Sequence, residues 1–400
     1  MKWNFDTVAD ANATVYDEKG NALQLGEENS LSHGGQGRVY EFPDNHEIVV
    51  KVYSDETLSD ARKVNAHDAR LDAMLRNPAC ANNRSLAWPV LKCYDKEGRI
   101  KGYAMMRVQG YVPFKSLFGG KARVLQKFPS WTRRDIAETV RSFLHTVMDL
   151  ERSHVVVCDW NADNFMVNAN HEVMFIDTDS YEIHERGGIK HLSAMYFAEN
   201  AAPEILRDKS LLRRPRTIAQ SRFSAAVVAY QLLMCGAHPY SFAGEARDGT
   251  FVGTPEQNII AGKCPLGRGT DCQLNEMTYN LWSWMTGRLH NAFVTTFRDG
   301  HGNPGKRIPI EELDAAVAQF IREMGREPMR LELAPGKPKD GDWKQAHPRQ
   351  VVQYFGGCPG FGQRPKSGFR PRMPRPMPSN YGAAYGYLRA QYGQNQMNNY

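Results

Sequence analysis

Between Thr14 and Val108 apolar and polar residues alternate in short runs: TVY, ALQL, RVYEF and EIVVKVY, then VLKCYD and RIKGYAMMRV on either side of Lys96-Glu97-Gly98. A period of two with turn residues between the runs predicts strands, and the last pair predicts a hairpin. One helix interrupts them. Ser59 is its expected N-cap, and DARKVNAHDARLDAMLRN sets Ala61, Val64, Leu71 and Leu75 on one stripe until Asn77-Pro78 stops it. From Asp135 onward the period becomes helical, in DIAETVRSFLHTVMDLERS, RFSAAVVAYQLLMCG, NEMTYNLWSWMTGRLHNAFVTTF and IEELDAAVAQFIREM. Two short strands, in HVVVCD and NFMV…EVMFID, lie between the first two helices. A small antiparallel sheet with one helix, followed by a larger, mostly helical part, predicts a two-lobed α+β fold, with lobes at residues 1–108 and 109–327. Beyond Pro335 the chain turns to Pro, Gly, Arg, Tyr and Asn with too few aliphatic residues for a core, so residues 328–400 are expected to be a disordered tail.

Composition adds little to this picture until its distribution is considered. The 400 residues are 42% hydrophobic and 24% charged, ordinary for a globular chain, and the net charge of +6 suits an anionic ligand without demanding one. No acidic residue follows Asp342, whereas Lys344, Arg349, Arg364, Lys366, Arg370, Arg372, Arg375 and Arg389 do. The tail therefore carries the positive balance. Arginines interleaved with Tyr and Phe suit single-stranded nucleic acid, and equally a solubilising or docking tail. Seven scattered cysteines without a CxxC pair argue against a disulfide framework or zinc ribbon and point to a reducing cytoplasm. MKWNFDTVADANATVY has no apolar signal core, and FSAAVVAYQLLMCGA is too short to span a bilayer, so no membrane association is expected. Oligomeric state leaves no mark in the sequence.

Two clusters carry chemistry. Gly34, Gly35 and Gly37 sit where one strand turns into the next, so their amides can approach an anion closely; alone they read equally well as a tight turn. On the next strand Lys51 lies among Val49, Val50, Val52 and Tyr53, and alternation puts it on the face of Val49 and Tyr53, beneath the turn. A phosphate there would neutralise it; otherwise its head must snorkel to solvent. The second cluster, VVVCDWNADNFMVNANHEVMFIDTDS, holds Asp159, Asn164 and Asp177, five and thirteen residues apart, at the ends of apolar strands. Two carboxylates and a carboxamide are hard oxygen ligands that suit Mg²⁺, or one carboxylate orients an attacking hydroxyl.

Taken together these residues resemble the protein-kinase superfamily over residues 25–327. Gly34, Gly37 and Val39 match G-x-G-x-x-G-x-V with Ser32 at its first glycine; Lys51 matches the strand lysine. Asp159 and Asn164 match the catalytic-loop pair, Asp177 the Asp of D-F-G, Glu204 in AAPE the A-P-E glutamate, and Arg307 its late arginine partner. CDWNADN, IDTDSYEI and SRFSAAVVAYQLLMCGAHPY depart from the usual motifs and resemble bacterial kinase-like proteins of the helix-hairpin-helix or tellurite-resistance-associated type, although no helix-hairpin-helix segment is visible. The resemblance implies an ATP- and Mg²⁺-dependent kinase. Adenine would lie between the lobes against Val39 and Val49, bonded by backbone from Met106 to Val108, with the glycines over the phosphates. Lys51 would hold the α- and β-phosphates, Asn164 and Asp177 the Mg²⁺, and Asp159 the acceptor hydroxyl, by resemblance a protein serine or threonine, though a small-molecule acceptor stays open.

The departures have consequences under that resemblance. Cys158 stands where an arginine would read a phosphorylated activation segment, Asn161 replaces a phosphate-contacting lysine, Asp179 replaces the D-F-G glycine, and Ser221 replaces an Asp that braces the catalytic loop. No glutamate is present on the helix to pair with Lys51; Asp68 is the expected substitute, with Asp72 on the stripe's edge. Cys158 reads as a small buried residue rather than a nucleophile. These changes keep a second reading open, a pseudokinase that binds nucleotide as a scaffold.

Overall fold

The computed structural model describes residues 12–43, 45–243, 253–267, 270 and 272–340. Its first part is a seven-stranded antiparallel sheet, larger than the small sheet expected. In chain order the strands are β1 (Ala13–Tyr16), β2 (Ala22–Leu25), β3 (Ser30–Gly34), β4 (Gly37–Phe42), β5 (Asn45–Tyr53), β6 (Pro89–Tyr94) and β7 (Ile100–Met106), paired in the order β2-β1-β6-β7-β5-β4-β3. Alternation along β5 divides two cores, since Val50 and Val52 pack with Val15, Leu25, Tyr40, Cys93 and Ala104, while Val49 and Tyr53 join the main core. Lys51 therefore shares the main-core face.

Helix α1 (Ala61–Leu75) crosses that face. Its N-cap is Asp60 rather than Ser59, because the Asp60 carboxylate accepts from the backbone N–H groups of Arg62 (2.9 Å) and Lys63 (3.0 Å). Arg70, Leu71, Ala73 and Met74 are its buried side, and Ala61 of the expected stripe is exposed. Asn77 ends α1 but does not end helical structure, for its side chain caps a further turn, α2 (Pro78–Ala81), with Pro78 at the first position. Two helices thus accompany the sheet.

The remainder is mostly helical: α3 (Lys121–Lys127), α4 (Arg133–Arg152), α5 (Pro203–Arg207), α6 (Ile218–Leu233), α7 (Pro255–Ala261), α8 (Glu276–Ser283), α9 (Gly287–Val294) and α10 (Ile310–Met324). Helix α4 buries Ile136, Val140, Phe143, Leu144 and Val147 against α6 and α10, and α6 is buried almost all round. The stretch read as one helix from Asn275 to Phe297 is broken where Thr286 caps a new start, its Oγ1 accepting from Leu289 N–H (3.4 Å). Short strands β8 (Val112–Pro113), β9 (Val155–Val156), β10 (Phe165–Val167), β11 (Val173–Phe175), β12 (Glu182–His184) and β13 (Lys190–His191) form two three-stranded sheets around the loops that follow α4. The folded part does not end at Glu327. Leu333 is buried, Arg330 is ion-paired with Glu323 and Glu327, and the carbonyls of Pro335 and Lys337 accept from Asn280 Nδ2 (3.3 Å) and Trp284 Nε1 (2.8 Å). These contacts overturn the expectation of disorder from residue 328 to residue 340; the rest of the basic tail, and the nucleic-acid partner suggested for it, lie outside the described residues.

Candidate active site

Strand β5 delivers Lys51 to a place with almost no water; the residue is 5% exposed. All three of its N–H donors are satisfied: by Asp177 Oδ1, by Asp179 Oδ1 at 2.7 Å and by Gln36 Oε1 at 3.2 Å. Burial alone would push the ammonium's pKa down, and the two carboxylates more than reverse this, raising it above the usual lysine value. Gln36 reaches Lys51 because the β3–β4 turn is pinned down, its carbonyl accepting from Ser54 N–H (2.9 Å) and Thr57 Oγ1–H (2.9 Å). Gly37 makes that approach possible, since a Cβ there would lie 2.1 Å from the Val52 carbonyl oxygen, whereas Gly34 and Gly35 face open space.

The carboxylates come from the loop after β11. Ile176 N–H bonds the Asn164 carbonyl (2.9 Å), which brings Asp177 beside the end of the loop carrying Asn164. Asp177 then turns through the left-handed region (φ 59°), a conformation Asp tolerates better than most residues and one common at functional sites. Two residues on, Asp179 is 1% exposed and accepts from Tyr103 Oη–H (2.9 Å) as well as from Lys51. Burial raises its pKa, but Lys51, Arg70 and the Tyr103 bond outweigh burial and hold the carboxyl below the usual carboxylate range. Motif reading treats Asp179 as a replaced glycine; a second acid two residues after Asp177 does not by itself show that both reach one lysine, which the left-handed turn at Asp177 brings about.

Asp159 and Asn164 are joined directly. Asn164 Nδ2 donates to Asp159 Oδ2 (3.0 Å) and to its carbonyl (3.3 Å), and Asp159 Oδ1 accepts from Asn161 N–H (3.3 Å). Asn161 accepts from Asp163 N–H and takes no place beside Lys51, while Lys115 pairs with Asp163 (3.1 Å). Asn200, unremarked in the sequence, braces this loop by donating to the Trp160 carbonyl (2.7 Å), near the void of about 20 Å³ that Ser221 helps to line. Cys158 is buried, and burial pushes its thiol up to about 12, as befits a packing residue. A larger cavity, about 440 Å³, is lined by Asn161, Lys115, Glu199 and His238 among others.

The remaining expected residues divide. Glu204 and Arg307 form a bidentate pair (2.8 and 2.7 Å), with Arg307 also donating to the carbonyls of Gly300 and Ala219. Val49 is buried, Val39 and Val108 pack at the edge of the main core, and the Met106 side chain is exposed where β7 ends. Asp68 does not pair with Lys51. It bonds Lys92 of β6 (2.8 Å), as does Asp72 (2.6 Å), because α1 turns both toward the strand two places away. What α1 presents near Lys51 is His67, whose ring centroid lies 4.8 Å from that of Tyr53, and Arg70, both nitrogen-bearing.

Asp177 and Asn164 fit a hard divalent cation. Asn164 spends its Nδ2 on Asp159 and leaves its Oδ1 as an oxygen donor, and the Asp177 side chain is 30% exposed, which leaves it reachable. Among the described residues no group of three His, Cys, Asp or Glu side chains is placed to hold a metal.

No family model matches the chain. It is 27% identical over 232 residues to Protein kinase YegI of Escherichia coli K12, covering 58% of this chain and 34% of that protein. Against Protein kinase YegI of E. coli O157:H7 it is 27% identical over 230 residues, 57% and 34% of the two chains. The chain spans about a third of the length of the curated relatives it matches. The chain is thus similar, over 57–58% of its length, to two proteins named protein kinases, and its mixed α/β architecture with a large antiparallel sheet is compatible with a kinase-like fold. No helix among the described residues is long and apolar enough to cross a membrane.

Proposed function

We propose that the chain is a cytoplasmic, ATP-dependent protein kinase with a two-lobed fold, transferring the γ-phosphoryl group to a hydroxyl, by resemblance a serine or threonine. The observation that carries this is the meeting of Lys51 with Asp177 across the chain, in a loop tied by the Ile176–Asn164 backbone bond to the bonded pair Asp159–Asn164. Lys51 supplies a fixed, buried positive charge for the α- and β-phosphates, and Gln36 of the glycine turn reaches the same ammonium. Asp159, held in orientation by Asn164 and by the Asn161 amide, orients the acceptor hydroxyl and takes up its proton. Asp177 and Asn164 would hold Mg²⁺, which supplies charge neutralisation on the phosphates. Val39, Val49 and Val108 offer the apolar surface for adenine.

Calorimetric titration of ATP into the protein tests this reading. Binding is expected to strengthen with Mg²⁺, and Asp177→Asn to abolish the Mg²⁺ dependence while leaving weak binding of free ATP. Absence of ATP binding at millimolar nucleotide would overturn it. The pseudokinase reading draws on Asn161, which puts no cation at the transferring phosphate. Mg²⁺-dependent binding without any transfer in the wild type would select it.

A further inference from the structure

The kinase-like ion pair between strand lysine and helix glutamate has no counterpart on α1, yet Lys51 is not left unpaired. Its three oxygen partners differ in kind. Gln36 belongs to an exposed turn and is uncharged; the Asp177 side chain is 30% exposed and has a second role open to it at the metal. Asp179 alone is sealed, at 1% side-chain exposure, and is aimed by a second buried donor, the Tyr103 hydroxyl at 2.9 Å. Arg70, buried on α1 and held by the Leu192 carbonyl (3.0 Å), adds positive charge on the same side. A nucleotide's phosphates can displace Gln36 and Asp177 from Lys51 without burying any group unpaired. Displacing Asp179 would strand a carboxylate in the core.

We propose that Asp179 is the permanent counter-ion that positions Lys51 for phosphate, taking over from the segment after β11 the task that a helix acid performs elsewhere, while Asp177 and Gln36 are exchangeable partners. This rests on the nucleotide-binding reading above. Two consequences distinguish the arrangement. The lysine's anchor travels with the loop that carries the metal-binding Asp177, so both are set by one segment, residues 177–179. Neither member of the pair lies on α1, whose Asp68 and Asp72 are committed to Lys92.

The experiment is a set of ATP titrations at fixed Mg²⁺ on wild type, Asp179→Asn, Lys51→Met, the double variant and Asp68→Asn, alongside urea unfolding of each. Asp179→Asn is expected to weaken ATP by about tenfold or more, as the loss of a charge-assisted bond does. In the Lys51→Met background the same change should add less than about twofold, because Asp179 acts through Lys51. Asp68→Asn should leave affinity within about twofold, since it pairs elsewhere. An Asp179→Asn loss that is equal in both backgrounds, or a larger loss from Asp68→Asn, would overturn the proposal. Should Asp179→Asn fail to fold, Tyr103→Phe carries the test: it keeps the charge, removes the aiming hydroxyl, and should weaken ATP by about threefold or more only when Lys51 is present. If the wild type binds no ATP, the kinase reading fails separately, and the unfolding cycle still decides whether Lys51 and Asp179 are coupled; additive losses there would contradict the pairing.

Discussion

Three oxygens on one buried ammonium make Lys51 a structural residue as well as a candidate phosphate ligand. Lys51→Met leaves Asp179 charged, buried and without its cation, a change that costs about 3–5 kcal/mol in comparable buried pairs. Urea unfolding should show that loss for Lys51→Met, and a much smaller change for Asp177→Asn, whose carboxylate has access to water. His67 sets a pH dependence at the same place. Burial, then the charge of Arg70, lowers its pKa to about 4. The folded value lies below the unfolded one, near 6.5, so the folded state resists protonation. Stability is full above about pH 6.5, declines as pH falls toward 4, and changes no further below that on account of this residue. Denaturation midpoints measured between pH 7 and 4 should fall less steeply for His67→Gln than for the wild type. The sequence singled out Lys51, Asp159, Asn164 and Asp177 by residue type, spacing and resemblance, and the fold pairs Lys51 with Asp177 and Asn164 with Asp159. Asp179 was not legible as a partner, since its role depends on a chain reversal at Asp177 and on Tyr103 arriving from β7.

Among the elements, α1 is fixed from two directions. Asp60 caps its first turn, and Lys92 grips Asp68 and Asp72 from β6. Asp60→Ala should cost about 1 kcal/mol in thermal or urea unfolding, the usual loss of an N-cap, and leave nucleotide affinity unchanged. Periodicity located α1, α4, α6 and α10 well because each buries one stripe or nearly its whole surface, and α10 spans Ile310–Met324 as its apolar spacing requires. It failed at joints. Ser59 and Asp60 are both acceptable caps by type, and only backbone direction chooses between them; Asn77 stops one helix and starts another; the apolar run from Asn275 conceals a cap at Thr286. The direction of Asp68 was likewise beyond reach, because helical spacing fixes which residues share a face but not which strand that face meets.

For the molecule as a whole, the Glu204–Arg307 pair ties α5 to the segment before α10 and, through the Ala219 carbonyl, to α6. Arg307 is the more deeply buried partner, with its side chain wholly inaccessible. Glu204→Ala should therefore destabilise the fold by about 3–5 kcal/mol, read by urea unfolding, because it leaves that guanidinium without its counter-ion. Leu333, beyond the limit suggested by composition, closes the same helical part, and Leu333→Ala should cost about 2–4 kcal/mol. Composition missed this because a single leucine and a few backbone carbonyls suffice to dock a segment that has no core of its own. The direct measurement of function is transfer of γ-labelled phosphate from ATP by purified wild type and by Asp159→Asn, with Mg²⁺ present. Transfer by the wild type, reduced about 10²–10⁴-fold in the variant, is the predicted result; equal transfer by both proteins, or none by either, would contradict a catalytic role for this site.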